Sequence, residues 1–299
     1  MPTSALGVLV TFCLFVFGTL VGSFLNVVSL RYDPDKFLFH RSVVGGRSHC
    51  PHCKKTLRWY ELIPLLSFVV QRGKCRTCHA RLTVQYPAVE ILSGLILVFV
   101  PSQVAAIFNQ FLVLSAWELF TLQGVWVLAF LAILLISMID FRLRLIPDEL
   151  NLFVALVGVA GIFLSADAFG QVGGSFVGHY GALFGIRDNI WLNHGFGLFA
   201  AALFFGLVIL LTRGRAMGLG DLKLAAALGM LFGWPDVLAI MIFAFIIGSL
   251  VGICAIALQK KTMKSFIAFG PFLGVSAVFV FFYGFSFFDW YFSLLGGMF

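Results

Sequence analysis

Charge is what this sequence lacks. Of its 299 residues only 11% are Asp, Glu, Lys or Arg, and just 13 are acidic. A soluble globular domain carries roughly 25%. Hydrophobic residues fill the gap at 61%, with 36 phenylalanines and a mean hydropathy of +1.04. A soluble domain is excluded, and several membrane spans are implied. No Lys or Arg precedes Arg31, so the first apolar run lacks the basic start of a secretory signal. It is also too long and shows no small-residue cleavage site, so it reads as a retained span. Internal repeats are absent, and so is any glycine-rich strand–turn–helix fingerprint for a nucleotide-like cofactor.

What is present is apolar and segmented. Hydropathy gives eight candidate spans, at about 6–30, 84–110, 115–139, 149–165, 194–212, 222–234, 236–258 and 267–288. The sixth is short, and Gly233, Trp234 and Pro235 divide it from the seventh. The expected fold is an all-α polytopic membrane protein of about eight transmembrane helices. A small polar loop domain lies between the first and second. The expected division is 1–30 as the first helix, 31–83 as the loop domain and 84–299 as the transmembrane core. Charge then orients the chain. Nineteen of the 20 basic residues fall in the 31–83 loop or in alternate loops after it, and only Arg187 falls on the other side. The positive-inside rule makes that basic side cytoplasmic and puts both termini outside. The net charge of +7 is accounted for by basic loops against anionic lipid, and no nucleic-acid partner is expected.

The 31–83 loop holds two CxxC knuckles, Cys50-x2-Cys53 and Cys75-x2-Cys78. Four thiolates so spaced match a closed tetrahedral zinc site, which leaves no open catalytic position. Disulfides are the rival, but a cytoplasmic loop is reducing. A loop of about 50 residues also needs a staple. The neighbouring His49, His52 and His79 are expected to be exposed. Cys13 and Cys254, in apolar runs, are expected to be small buried residues.

With so few acids, each can be weighed. Asp33, Asp35 and Glu61 belong to the polar loop. Asp167, Asp188, Asp236 and Asp289 fall in outer loops or ends, Glu118 lies near an outer boundary, and none of these calls for explanation. His179 and His194 are read as exposed residues in or beside a long 166–193 outer loop, itself read as a flap or surface helix. Asp148 and Glu149 follow Pro147 and suit a helix start. Three acids are harder to dismiss: Asp140, Asp221 and Glu90 lie in or at the edge of spans, where ionisable groups are functional candidates. The third span runs inward and ends at Asp140. The sixth starts at the cytoplasmic face with Asp221. Topology therefore puts both at one depth, where two carboxylates can share a proton and hold a water for peptide hydrolysis. Gly218 and Gly220 allow close backbone approach and the turn into the helix. Lys223 either tunes the pair or marks topology.

These residues resemble the bacterial type IV prepilin peptidases, membrane aspartyl proteases of the GxGD class. The likeness covers nearly the whole chain. "GSFLNVVSLR" (22–31), "CPHC", "WYELIPLLSF", "RGKCRTC" and "YPAVE" (86–90) follow in family order. Next come "IDFRLRLIPD" with Asp140, "MGLGDLKLAAALG" with Asp221, and "FGPFLG" (269–274). Leu62 departs from the asparagine that many relatives carry there. The resemblance implies an inner-membrane enzyme that removes the basic leader of type IV prepilins and type II secretion pseudopilins. It would cut after a glycine on the cytoplasmic side, with Asp140 and Asp221 as the catalytic pair. It also implies N-methylation of the new terminus with S-adenosylmethionine, for which Glu90 and the 31–83 loop are the candidate region. Two other classes compete. A cation or proton relay through Glu90, Asp140 and Asp221 would favour midplane acids and repeats. A non-catalytic assembly factor would leave the aspartate pair unexplained.

Overall fold

The computed structural model describes residues 5–108, 114–165, 175–178, 189–258 and 267–294. Among the described residues are eight long helices: α1 (Ala5–Arg31), α2 (Gln85–Phe108), α3 (Ala116–Leu143), α4 (Asp148–Ser165), α5 (Ile190–Thr212), α6 (Leu219–Phe232), α7 (Asp236–Ala257) and α8 (Gly270–Leu294). Among the described residues the only β-pairing is two isolated bridges in the cysteine loop. Helix is what the pattern demands, because a span in lipid must satisfy its backbone within itself. Seven of the eight are long and apolar enough to cross a membrane. The exception is α6, whose 14 residues extend about 21 Å against a hydrocarbon core of about 30 Å. Leucines and phenylalanines stand exposed along α1, α5 and α7, among them Leu9, Phe12, Phe17, Leu203 and Leu250.

Local chemistry sets the ends. Ser115 and Glu118 form a reciprocal capping box that starts α3, with the Ser115 N–H donating to Glu118 Oε2 at 2.7 Å. The Asn189 side chain accepts from the N–H groups of Trp191 and Leu192 and starts α5 four residues before the apolar run suggested. α3 stops one turn after Asp140, where Arg144 turns left-handed and its N–H returns to the Asp140 carbonyl at 2.8 Å.

The chain divides into two compact units, Met1–Ser102 and Gln103–Phe299, with the division inside α2. In the first, α1 and α2 meet at small residues. A Cβ on Gly18 would come within 2.7 Å of the Gly94 Cα, so backbone lies against backbone. In the second, α6 is the central helix, flanked by α4 and α5. A Cβ on Gly158 would lie 2.9 Å from the Leu231 Cα, and one on Gly229 would lie 2.5 Å from the Gly197 carbonyl oxygen. At the end of α6 away from Asp221, Trp126 packs on Phe176, Phe232 and Phe281 with ring centroids 4.9–5.2 Å apart.

The structure corrects three expectations. Asp236 is no loop acid. It is fully buried at the start of α7 and accepts hydrogen bonds from Ser175 Oγ and from the N–H groups of Phe176 and Val177, at 2.8–3.1 Å. His194 is likewise buried, within α5, with Nδ1 2.9 Å from the Met230 carbonyl. A buried polar group needs such partners, and here they come from segments 36 to 61 residues away. Cys13 and Cys254, expected inside, are exposed on α1 and α7. They sit on faces that lipid would cover. His179 and most of the 166–193 stretch lie outside the described residues.

Candidate active site and cysteine cluster

Asp140 sits one turn before the end of α3 and is almost fully buried. Its Oδ2 accepts the backbone N–H of Gly270, the first residue of α8, at 2.9 Å. A Cβ on Gly270 would lie 2.7 Å from that same oxygen, so a larger residue there would displace the carboxylate. Asp221 is the third residue of α6, and its Oδ2 accepts the Gly218 N–H at 3.2 Å. It therefore caps its own helix, in the field of the positive helix end. Capping leaves its other oxygen for further work. Gly220 explains how the two chain segments come together, since a Cβ on it would press on Ile146 at 3.3 Å. Ile146 is buried in the short link from α3 to α4.

Gly218 behaves differently from the sequence expectation. Its φ is −91°, extended backbone that any residue adopts, so the turn itself does not require glycine. A Cβ there would find nothing closer than 3.8 Å. Lys223 turns away to Asp148, with Nζ 2.8 and 2.7 Å from the two carboxylate oxygens. Asp148 is thus an ion-pair partner across α4 and α6 as well as a helix-start residue. Both side chains are roughly half exposed or more. Gly270 is the participant that residue chemistry alone missed; its signal was the "FGPFLG" motif, which carried no assigned role.

In the first unit the four cysteines converge. The sulfurs of Cys50, Cys53, Cys75 and Cys78 all lie within 4.8 Å of one another, and Cys50 and Cys78 are 3.9 Å apart. Tetrahedral Zn–S bonds of about 2.3 Å place sulfurs about 3.8 Å apart. The two knuckles share one plan. Cys50 N–H bonds to the Lys55 carbonyl and Lys54 N–H to the Cys50 carbonyl, each at 3.0 Å. Cys75 N–H bonds to Ala80 at 2.9 Å and His79 N–H to Cys75 at 3.0 Å. Lys54 and His79 both adopt the left-handed conformation that this loop needs. Backbone N–H groups of Cys78 and Thr77 aimed at its sulfur hold the Cys75 thiol down to about 6, which favours the thiolate that a metal binds. His49, His52 and His79 are exposed and outside the cluster.

A cavity of about 340 Å³ opens beside this cluster within the same unit. Its wall includes Arg31, Cys50, Glu61, Cys75, Tyr86 and Glu90. Glu90 is nearly buried, and its Oε2 accepts the Leu65 N–H at 2.8 Å. Leu65 holds a positive φ of 59° to present that N–H, a conformation that a branched side chain adopts only when its surroundings enforce it. The Arg31 guanidinium is held by the Gly45 and Arg47 carbonyls.

Two family profiles match the chain. The bacterial peptidase A24 N-terminal domain covers residues 16–104, and the type IV leader peptidase family covers 126–253. A prepilin leader peptidase/N-methyltransferase of Aeromonas hydrophila is 30% identical over 297 residues, covering 93% of this chain and 92% of the relative. The chain belongs to the type IV leader peptidase family. Prepilin leader peptidase/N-methyltransferases from Legionella pneumophila (29% identical, 92% of each chain) and Bacillus subtilis (28%, 95% and 98%) are also similar. No solved structure matches it. In this leader peptidase the cysteine cluster and cavity fall under the first profile and both aspartates under the second.

Proposed function

We propose that this bifunctional prepilin peptidase and N-methyltransferase cuts with Asp140 and Asp221 and methylates in the first-unit cavity. The carrying observation for cleavage is the pair itself. Two carboxyl groups 81 residues apart in sequence each have one oxygen held by a backbone N–H, and Gly220, next to Asp221, lies against Ile146 in the short link that follows Asp140's helix. That fixes their orientation while leaving oxygens for a water and a carbonyl. One carboxylate takes a proton from water as its oxygen attacks the scissile carbonyl carbon. The other, protonated, donates to the carbonyl oxygen. Collapse of the tetrahedral adduct breaks the C–N bond, and the amine leaves with a proton from the carboxyl that first acted as base. Asp140→Asn and Asp221→Asn should each abolish leader removal while leaving the protein in the membrane. Retained cleavage in either removes that residue from the pair.

The four cysteines suit a structural zinc, and no step of either reaction is assigned to it. S-adenosylmethionine, when bound, supplies an electrophilic methyl group. The cavity is within the ~300–1,000 Å³ range of small-molecule sites. Glu90 and Glu61 offer carboxylates to a cationic ligand, and Glu61 is itself fixed by the Arg58 N–H at 2.8 Å.

The protein is a multi-pass inner-membrane enzyme acting on prepilin-type substrates. The cysteine loop and both aspartates face the cytoplasm in this reading, and the termini are periplasmic. Support comes from the basic residues on one side and from Lys223, Arg142 and Arg144 near the pair. The exposed apolar helix faces take lipid as their partner, and the basic loops need no nucleic acid.

A further inference from the structure

One cation in the first unit is fixed in place without a counter-charge. Arg31, the last residue of α1, is half-buried, and its Nη1 and Nη2 donate to the carbonyls of Gly45 and Arg47. Those bonds use two of the five N–H donors of a guanidinium and none of its charge. Among the described residues Arg31 makes no ion pair, and Asp33, two residues on, is taken by Lys36 at 3.3 Å. A planar cation held by neutral carbonyls, with donors to spare, is set for an anion from outside the chain.

Its surroundings narrow the choice of anion. Arg31 lines the cavity of about 340 Å³ together with Glu61 and Glu90, yet neither acid neutralises it. A Cβ on Gly22 would lie 2.9 Å from the Glu90 Cα. Glu90 is therefore level with Gly22, nine residues before Arg31 and about 13 Å back along α1. Glu61 accepts instead from the Arg58 N–H at 2.8 Å. The wall thus offers carboxylates in one part and a guanidinium in another, the complement of a ligand that carries both signs of charge. Lys54, also on the wall, is an exposed cation on a flexible stem. Arg31 borders a second, open basin with Lys36 and Arg47. A lipid phosphate is the rival anion there, but the basin is open to water, which weakens such a contact.

We infer that Arg31 binds the α-carboxylate of S-adenosylmethionine and so makes the cavity selective for a donor that retains it. The amino-acid end of that molecule supplies a carboxylate to the guanidinium. Its ammonium and sulfonium supply cations to the acids. A guanidinium and a carboxylate also match in shape, so the contact fixes orientation as well as charge. The inference rests on the first-unit cavity being the methyl-donor site.

The test uses full-length protein in detergent without prepilin, so that binding is read with no turnover. Calorimetry gives Kd for S-adenosylmethionine and for its decarboxylated analogue, on the parent, Arg31→Gln and Glu90→Gln. The parent should prefer S-adenosylmethionine by at least about tenfold. Arg31→Gln should erase that preference, weakening S-adenosylmethionine about 10- to 100-fold and the analogue less than about twofold. Equal weakening of both ligands would mean that Arg31 only shapes the 45–47 turn, and would overturn the inference. S-adenosylmethionine affinity unchanged in Arg31→Gln but lost in Glu90→Gln would overturn it and keep the cavity. Loss of stabilisation by phosphatidylglycerol in that same Arg31→Gln protein would then assign the guanidinium to a headgroup phosphate. Affinity unchanged in both variants, or no binding to the parent, would remove the cavity as the donor site and the inference with it.

Discussion

Gly270 gives its backbone N–H to the Oδ2 of Asp140 at 2.9 Å, across 130 residues of sequence. The contact joins the start of α8 to the end of α3 and orients a buried carboxyl. Gly270→Ala would bring a methyl within 2.7 Å of that oxygen. Asp140 must then move, and misplacing a catalytic group by about 1 Å can lower turnover roughly 10²-fold. We expect a loss of that order in kcat for leader removal, measured on purified protein. Full activity would mean that the N–H has no part in placing Asp140.

Lys223 is expected to matter little. Its partner is Asp148, and the pair is exposed enough to be worth about 0.2–1 kcal/mol. Lys223→Ala should therefore keep cleavage within a few-fold and barely shift Tm. A loss of 100-fold or more would assign the ammonium to the aspartate pair.

Glu90 separates the two activities. Glu90→Gln keeps the shape and an acceptor for the Leu65 N–H but removes the charge. Product mass should show the leader removed and the methyl missing or much reduced. Equal methylation in parent and variant would remove Glu90 from the methyl-transfer cavity.

Metal content tests the knuckles. Purified under reducing conditions, the protein should carry about one zinc per chain. Cys50→Ser,Cys53→Ser should lose it and become sensitive to proteolysis within 48–82. Absence of stoichiometric metal in the parent would refute the site.

Packing around α6 gives a stability test. A methyl at Gly229 would meet the Gly197 carbonyl at 2.5 Å, and overpacking of this kind costs about 1–3 kcal/mol. Gly229→Ala should lower Tm in detergent, with cleavage per folded molecule reduced less than by Gly270→Ala.

The spans were legible because so few charges interrupt them. The run expected at 84–110 is Gln85–Phe108, and 149–165 is Asp148–Ser165. Where edges moved, local bonds moved them. Asn189 advances α5 by its cap, and α3 runs a turn past Asp140 because hydropathy falls before helical bonding does. The cysteine quartet was legible from spacing alone. The partners of buried polar groups were not. Asp236 with Ser175, His194 with Met230 and Lys223 with Asp148 are matched over 36 to 75 residues. Nothing in a linear pattern records such a match. His194 looked like a loop residue because it adjoins the long 166–193 stretch, and Asp236 because it follows the break at Gly233, Trp234 and Pro235, although packing buries both.

Cys50 and Cys75 both serve two structures, since each belongs to the sulfur cluster and also lines the cavity. A metal that clamps the knuckles therefore also fixes part of the cavity wall. Thermodynamic linkage makes such an effect reciprocal. Whatever factor the metal adds to affinity in the cavity, an occupant of the cavity returns to the metal. The affinity of the knuckles for metal, read by competition with a chelator at equilibrium, then becomes a gauge of how full the neighbouring site is, with no turnover needed to read it.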